Sequence, residues 1–322
     1  MNISELPLPI SYHSSMDILD STKIQSYQDC PRAFFYEYVL GWRSSYPNNH
    51  LHFGKAVHIA MEHIILHGYR VEAVMEALTL FNDEYRSAFP ESTDEIFSPK
   101  TPGRFFEMLI LYLKQYADDL TNYKVYKTEF GGTIHLSPKH KIAFKMDTVL
   151  QDQRDGKYCS LEHKTKGGNY ISDSYLYEHM MGIQCGTYTH VLNCLFPPEE
   201  VSGIIINCMC FKKTKIADYI LKRFPINYSN SQMFNWLENT KSWMDRIYKD
   251  FALLAGTTIG ADRMDCFPLN GRSCCNWGRT CTYLGLCNSW NNPIQHQEKL
   301  PADMKVEFWN PLEEDLREVL SL

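Results

Sequence analysis

The chain has no apolar run long enough to cross a bilayer, and its opening, MNISELPLPISYHSS, lacks the basic-then-apolar pattern of a secretory leader. Those two absences predict a cytoplasmic protein with no membrane partner. Positive charge is not in excess either: 32 Lys and Arg against 38 Asp and Glu leave a net charge of −6. A global basic signature of nucleic-acid binding is therefore missing, although a local groove can be positive on an acidic protein. There is no internal repeat and no low-complexity tract. Eleven cysteines are present, yet none forms a close Cys-x-x-Cys pair of the kind a zinc ribbon uses.

What is present is ordinary globular material, 322 residues with 44% hydrophobic and 22% charged, enough for one substantial core with an appended subdomain or for two small domains. Residues 1–20, with Pro7 and Pro9, read as an extended lead-in. Ser21-Thr22 can cap a helix over 23–40 that is kinked or split at Cys30-Pro31. Helices follow over 52–66, 71–89 and 103–120, with a polar linker at 90–102. From residue 123 the apolar period shortens to two. Strands are predicted over 125–136 (bent at Gly131-Gly132), 141–150 and 157–164, then a flexible connection over 165–173 and one helix over 174–195. A strand over 201–211 pairs with 216–226 through a hairpin at 212–215, and a long helix covers 229–254. The expected organisation is a lead-in (1–20), an N-terminal helical portion (21–122), an α/β core with a mixed sheet (123–260), a cysteine segment (261–290) and a tail (291–322).

Chemistry concentrates on the hairpin over residues 145–164, turned at Asp155-Gly156. Side chains alternate along a strand, so Glu162 and Lys164 share a face while His163 points away. Pairing of the two strands would bring Asp147 to the same face. Two carboxylates offer hard oxygen ligands for Mg²⁺ or Mn²⁺, and the ammonium can orient a water or offset charge on a phosphorane-like transition state. Ordinary surface charges on a hairpin give the same pattern. Gly54, His58 and Glu62 recur at four-residue steps on one helix, as do Gln184 and Tyr188 on another. Each set is equally compatible with plain packing. Tyr170, Tyr175 and Tyr177 are candidate platforms for single-stranded bases, though surface-packed tyrosines are commoner.

The cysteines fall into two kinds. Cys159, Cys185, Cys194, Cys208 and Cys210 lie in apolar, regular segments and read as buried free thiols. Cys274, Cys275, Cys281 and Cys287 crowd a polar stretch with Gly271, Gly278 and Gly285, as metal-cluster ligands do. Composition leaves Cys30 and Cys266 undecided.

In combination, Gly54-x-x-x-His58-x-x-x-Glu62, Asp147, Glu162-x-Lys164 and Gln184-x-x-x-Tyr188 resemble the RecB-like nucleases of the PD-(D/E)xK superfamily, in their order. The opening, with Ser21 and then Cys30-Pro31-x-x-Phe34-x-Tyr36, is similar to the four-cysteine iron–sulfur branch. That branch includes AddB-type nuclease domains, CRISPR-adaptation exonucleases and phage-encoded exonucleases. The resemblance spans about residues 21–288. It implies a restriction-endonuclease-like mixed sheet flanked by helices, with an N-terminal helical portion and a C-terminal iron–sulfur segment. It also implies a metal-dependent DNA exonuclease acting on single strands or free ends in recombination, repair or phage DNA processing.

By the same resemblance, Asp147, Glu162, His58 and the backbone carbonyl of His163 would hold Mg²⁺ or Mn²⁺, with Glu62 in support. Lys164 would position the attacking water, and Gln184 and Tyr188 would contact DNA or brace the site. Cys30, Cys274, Cys281 and Cys287 would hold a [4Fe–4S] cluster clipping the chain's two ends together, with Cys275 the rival to Cys274 and Zn²⁺ the alternative metal. Lys145 departs from the family's usual residue at its position. The absence of a Gly-x-x-x-x-Gly-Lys-Ser/Thr loop implies a stand-alone nuclease rather than part of a motor. Its partner would be DNA, with any helicase, recombinase or self-association partner unspecified. The alternative is a non-catalytic DNA-binding or assembly subunit that retains the fold and the cluster.

Overall fold

A computed structural model describes residues 3–212, 220–276, 279–312 and 319–321. In chain order its main elements are helices α1 (Ser21–Asp29), α2 (Asn49–His67), α3 (Val71–Arg86) and α4 (Pro102–Gln115), then strands β1 (Tyr123–Ser137), β2 (His140–Asp152) and β3 (Tyr158–Gly167). Helices α5 (Asp173–Met181) and α6 (Ile183–Leu195), strands β4 (Val201–Phe211) and β5 (Ile220–Ile226) and helix α7 (Asn230–Ala255) complete the series. The chain forms two compact units. One holds Met1–Tyr46, Gly132–Phe144 and Ser231–Leu322, and the other Pro47–Gly131 and Lys145–Asn230.

The five long strands lie in one mixed sheet of seven strands, in the order β1-β2-β3-β4-β5. Strands β2 and β3 run antiparallel, β3 and β4 parallel, and β4 and β5 antiparallel. Strand β4 is apolar on both faces, as a central strand between covered faces must be. The core against α2, α3 and α4 is dominated by aromatics: Phe53, Phe81, Tyr85, Phe105, Tyr112 and Phe211 are all almost fully buried. The apolar stripe of α3, Ala73, Ala77, Phe81 and Tyr85, steps by four and fixes its buried face. Among the described residues, no helix is long and apolar enough to cross a membrane.

The first unit is built round a second aromatic cluster. Phe267 meets Phe34, Phe35 and Phe251 at centroid distances of 6.0, 5.3 and 5.4 Å. Asp250 gathers two donors there, the Tyr27 hydroxyl at 2.8 Å and the Phe267 amide at 3.0 Å. Here Leu19–Asp20 pairs in parallel with Ile142 and Ala143.

Several local expectations are corrected. The N-cap of α1 is Asp20, whose carboxylate accepts the Lys23 amide at 2.7 Å, so Ser21-Thr22 lie inside the helix. The split expected at Cys30-Pro31 is present, by contrast: the backbone at Cys30 is extended, and Pro31 opens a new short helix that continues as a π-helical turn over Phe35–Val39. The irregularity of β1 falls at Glu129, with φ 45°, and neither Gly131 nor Gly132 takes a positive φ. The expected single helix over 174–195 is two, because Gly182 is extended (φ −72°, ψ 153°) and caps α6. Strand β3 runs on to Gly167, which shortens the predicted connection. Cys194 is exposed, unlike the four other thiols grouped with it, because it sits in the last turn of α6 away from the buried Val191 and Leu192. The hairpin turn at 213–215, the start of the predicted 216–226 strand, Gly278 and most of the tail's end lie outside the described residues.

Candidate active site

The ladder between β2 and β3 closes at Thr148 and Leu161. One further step in that register sets Asp147 opposite Glu162, and directly opposed residues of an antiparallel pair share a face. There the backbone ladder gives way to a side chain: Asp147 Oδ2 accepts the His163 amide at 2.7 Å. The strands part where the two carboxylates meet. A residue's N–H and C=O point to the same side of a strand, so the His163 carbonyl is directed toward Asp147 as well.

His58 reaches this point from α2, its Nδ1 donating to Asp147 Oδ1 at 3.0 Å. The glycine one turn earlier, Gly54, leaves room near Thr165: an added Cβ would lie 3.8 Å from its hydroxyl oxygen. Glu62, one turn later, accepts the Thr128 hydroxyl at 2.8 Å and so ties α2 to β1. Lys164 Nζ donates to Glu162 Oε1 at 2.7 Å and to Gln184 Oε1 at 2.8 Å. Gln184 in turn donates to the Tyr188 hydroxyl at 2.9 Å, and Tyr188 donates to the Lys145 carbonyl. That relay runs from α6 back to β2 and holds the ammonium in one orientation. Every residue predicted for the active site thus converges within one unit.

The charges are strongly biased. Burial alone would raise the Asp147 carboxyl, but the His58 charge and hydrogen bond outweigh it and hold Asp147 well below the usual carboxylate range. Glu162 goes the other way, pushed up to about 7 by burial and then by the Asp147 charge. His58, which burial alone would lower, is raised to about 9 by Asp147. Lys164 stays charged because Glu162 offsets its burial.

Sequence reasoning did not find the support behind His163. Its ring is buried and pushed down to about 3, mainly by burial, so it is neutral. Its Nδ1 accepts from Asn207 Nδ2 at 2.7 Å, and Asn207 Oδ1 accepts from Arg223 Nε at 3.1 Å. Arg223 pairs with Asp119 at 2.5 Å and lies 3.8 Å from the Tyr116 ring centroid. These residues sit on three separate elements, and no spacing in the sequence links them. Lys145 pairs with Glu129 at 2.8 Å, the residue at the β1 irregularity. An alternating strand pattern gave no sign of that contact.

Whether this site suits a divalent ion can be judged from its donors. Among the described residues, no three His, Cys, Asp or Glu side chains are gathered into a set that could hold a metal ion. Mg²⁺, however, is commonly held by one or two carboxylates, with waters and substrate phosphate completing its shell. Glu162 Oε2 is buried with no hydrogen-bond partner, and the half-buried Asp147 carboxylate stands opposite in register. An orphaned carboxylate oxygen in such a place fits a cation.

The candidate cluster cysteines, Cys30, Cys274, Cys275, Cys281 and Cys287, lie in the first unit. Asn270 donates its backbone N–H to Cys30 Sγ at 3.5 Å and its side-chain amide to the Asp29 carbonyl at 2.7 Å. Arg32 Nε donates to the Phe267 carbonyl at 2.9 Å. The Cys281 amide bonds the Cys274 carbonyl at 2.8 Å. Burial raises the Cys281 thiol, and neighbouring Cys30, Cys274 and Cys275 raise it further. Cys287 is pushed up to about 11 by burial, with Cys30, Cys281 and Cys274 adding to the rise. Cys275 is exposed, whereas Cys274 is half-buried and acts on both other thiols. Cys266 is buried apart from these effects. All four candidate ligands are free thiols, and among the described residues no three of them are gathered into a set that could hold a metal ion.

Residues 21–288 match the model of the PD-(D/E)XK nuclease superfamily. The chain belongs to that superfamily. Its mixed sheet flanked by helices agrees with the restriction-endonuclease-like fold of the group. No curated protein matches it. Among solved structures it is similar to the "Putative exonuclease" of Eubacterium rectale, at 12% identity over 76% of this chain and 85% of that one, with a TM-score of 0.46. SSO0001 is similar at 15% identity over 51% of this chain and 70% of that one, with a TM-score of 0.23. Both scores are low, and the family assignment rests on the superfamily match.

Proposed function

We propose that this member of the superfamily is a divalent-metal-dependent deoxyribonuclease, an exonuclease acting on single-stranded DNA or DNA ends, with a [4Fe–4S] cluster on Cys30, Cys274, Cys281 and Cys287. One observation carries the catalytic reading: the buried Glu162 carboxylate, with one orphaned oxygen, stands opposite the half-buried Asp147 carboxylate, beside a lysine whose orientation is locked. Mg²⁺ or Mn²⁺, held by Asp147, Glu162 and the His163 carbonyl, would supply Lewis-acid polarisation of the phosphate and a more acidic water.

The chain's own groups do the rest. His58 fixes the rotamer and the charge of Asp147 through its 3.0 Å contact. Lys164 places positive charge where the scissile phosphate gains negative charge, and it cannot swing away while Gln184 and Tyr188 hold it. Asn207 fixes the His163 ring through its hydrogen bond to Nδ1, and Arg223 fixes Asn207 in turn.

The test is degradation of end-labelled single-stranded DNA in Mn²⁺. Asp147→Ala and Lys164→Ala should each lower the rate by about 100-fold or more, while leaving the thermal melt cooperative. A wild-type protein that binds DNA but cuts none with any divalent metal would favour the non-catalytic subunit instead.

A further inference from the structure

Strand β3 continues past the catalytic row. Glu162, Lys164 and Lys166 lie at alternate positions and hence on one face, and β4 keeps register alongside, with Lys164 opposite Cys208 and Lys166 opposite Cys210. Lys166 has no carboxylate partner among the described residues. Its ammonium lies 4.4 Å from the centroid of the Tyr175 ring on α5. One turn along the same helix, His179 meets Tyr175 edge-on at 4.7 Å, and its Nε2 is buried with no hydrogen-bond partner. Two cationic or donor groups therefore flank one aromatic ring, one strand step beyond the catalytic lysine.

We infer that Lys166 and His179, spaced by Tyr175, form a subsite for the backbone phosphate next to the scissile one on a single-stranded nucleic acid. This rests on the nuclease reading above. Two residues along a strand advance about 6.6 Å, close to the spacing of successive phosphates on an extended single strand, so Lys164 and Lys166 match two neighbouring phosphates. The electrostatics agree. Burial, and after it the charges of Lys164 and Lys166, push His179 down to about 4, and among the described residues no carboxylate offsets them. An anion is the missing complement. Glu178, on the same helix, is exposed. Lys166 and His179 are positioning residues: they act on the neighbouring linkage and not on the reacting atoms.

Binding of fluorescein-labelled oligothymidylate by the full chain in EDTA, followed by anisotropy across salt, tests the inference. Lys166→Gln should lower the slope of log affinity against log salt by about 0.7, the loss of one single-strand phosphate contact, and Lys166→Arg should restore it. His179→Asn should weaken binding severalfold. In the Mn²⁺ assay, Lys166→Gln should raise KM about tenfold with kcat within about twofold. A wild type that cuts DNA, with a Lys166→Gln slope and KM unchanged, overturns the subsite and leaves the nuclease reading standing. A wild type that binds with the predicted loss of slope but never cuts overturns the nuclease reading alone. Absence of both binding and cutting overturns both.

Discussion

A proton on Glu162 is the residue-scale feature with the clearest consequence. Its carboxyl is raised from the ordinary 4.5 to about 7 by burial and by Asp147, while Asp147 stays ionised beside His58. The unfolded chain loses this proton first as pH rises. The stabilising contribution is therefore complete below about 4.5 and disappears as pH rises through about 7. Glu162→Gln cannot ionise, so in EDTA at about pH 8 it should be more stable than wild type by about 1–3 kcal/mol, with the difference closing toward about pH 4.5. Metal binding must displace the same proton. Mn²⁺ affinity should rise about tenfold per pH unit up to about pH 7 and then level off, with matching proton release by calorimetry in two buffers. A flat affinity across that range would remove Glu162 as a ligand.

At the scale of elements, the strand pairings do the positioning, and here the sequence was informative in some places and silent in others. Alternation around Met146, Val149 and Leu150, with the turn at Asp155-Gly156, made the β2–β3 hairpin legible, and with it the shared face of Asp147, Glu162 and Lys164. The four-residue steps on α2 and α6 were legible too, since helical spacing determines which side chains stack. By contrast, the break between α5 and α6 rests on one glycine in an otherwise helical stretch, and the Asn207–Arg223–Asp119 support joins elements far apart in sequence. Periodicity reports a residue's face and carries no information on its long-range partner. A further unannounced feature is the bulge where β4 enters the sheet: register shifts between Tyr158 and Cys159, and Gly203 sits at φ +89°. A Cβ there would collide with the Ile226 carbonyl oxygen and the Asn227 side chain. Gly203→Ala combines backbone strain with that clash and should cost about 2–4 kcal/mol, read as a lowered midpoint in denaturant with little change in slope. Gly156→Ala, also at positive φ (77°) but with open space around it, should cost only about 1 kcal/mol.

For the whole molecule, the division of labour between the two units matters most. Pro47–Gly131 and Lys145–Asn230 carry all the proposed catalytic residues, whereas the unit holding both chain ends carries Cys30, Cys274, Cys281 and Cys287. Cys30 is held by the Asn270 amide across 240 residues of chain, and a cluster on Cys30, Cys274, Cys281 and Cys287 would make that closure covalent in effect. The cluster's loss should therefore act first on the unit it closes. Anaerobically purified protein should be brown, with absorbance at about 400 nm, and Cys281→Ala should lose that band. Cys275→Ala should keep it, because Cys275 is exposed while Cys274 influences both Cys281 and Cys287. Hydrogen exchange on Cys281→Ala should then show faster exchange over α1 and residues 264–290, with the aromatic core of α2, α3 and α4 still protected. A colourless wild type that binds one equivalent of Zn²⁺ would transfer the four thiolates to zinc. Equal protection throughout in Cys281→Ala would mean that the aromatic contacts of Phe267 and the Asn270 hydrogen bonds suffice to hold that unit closed.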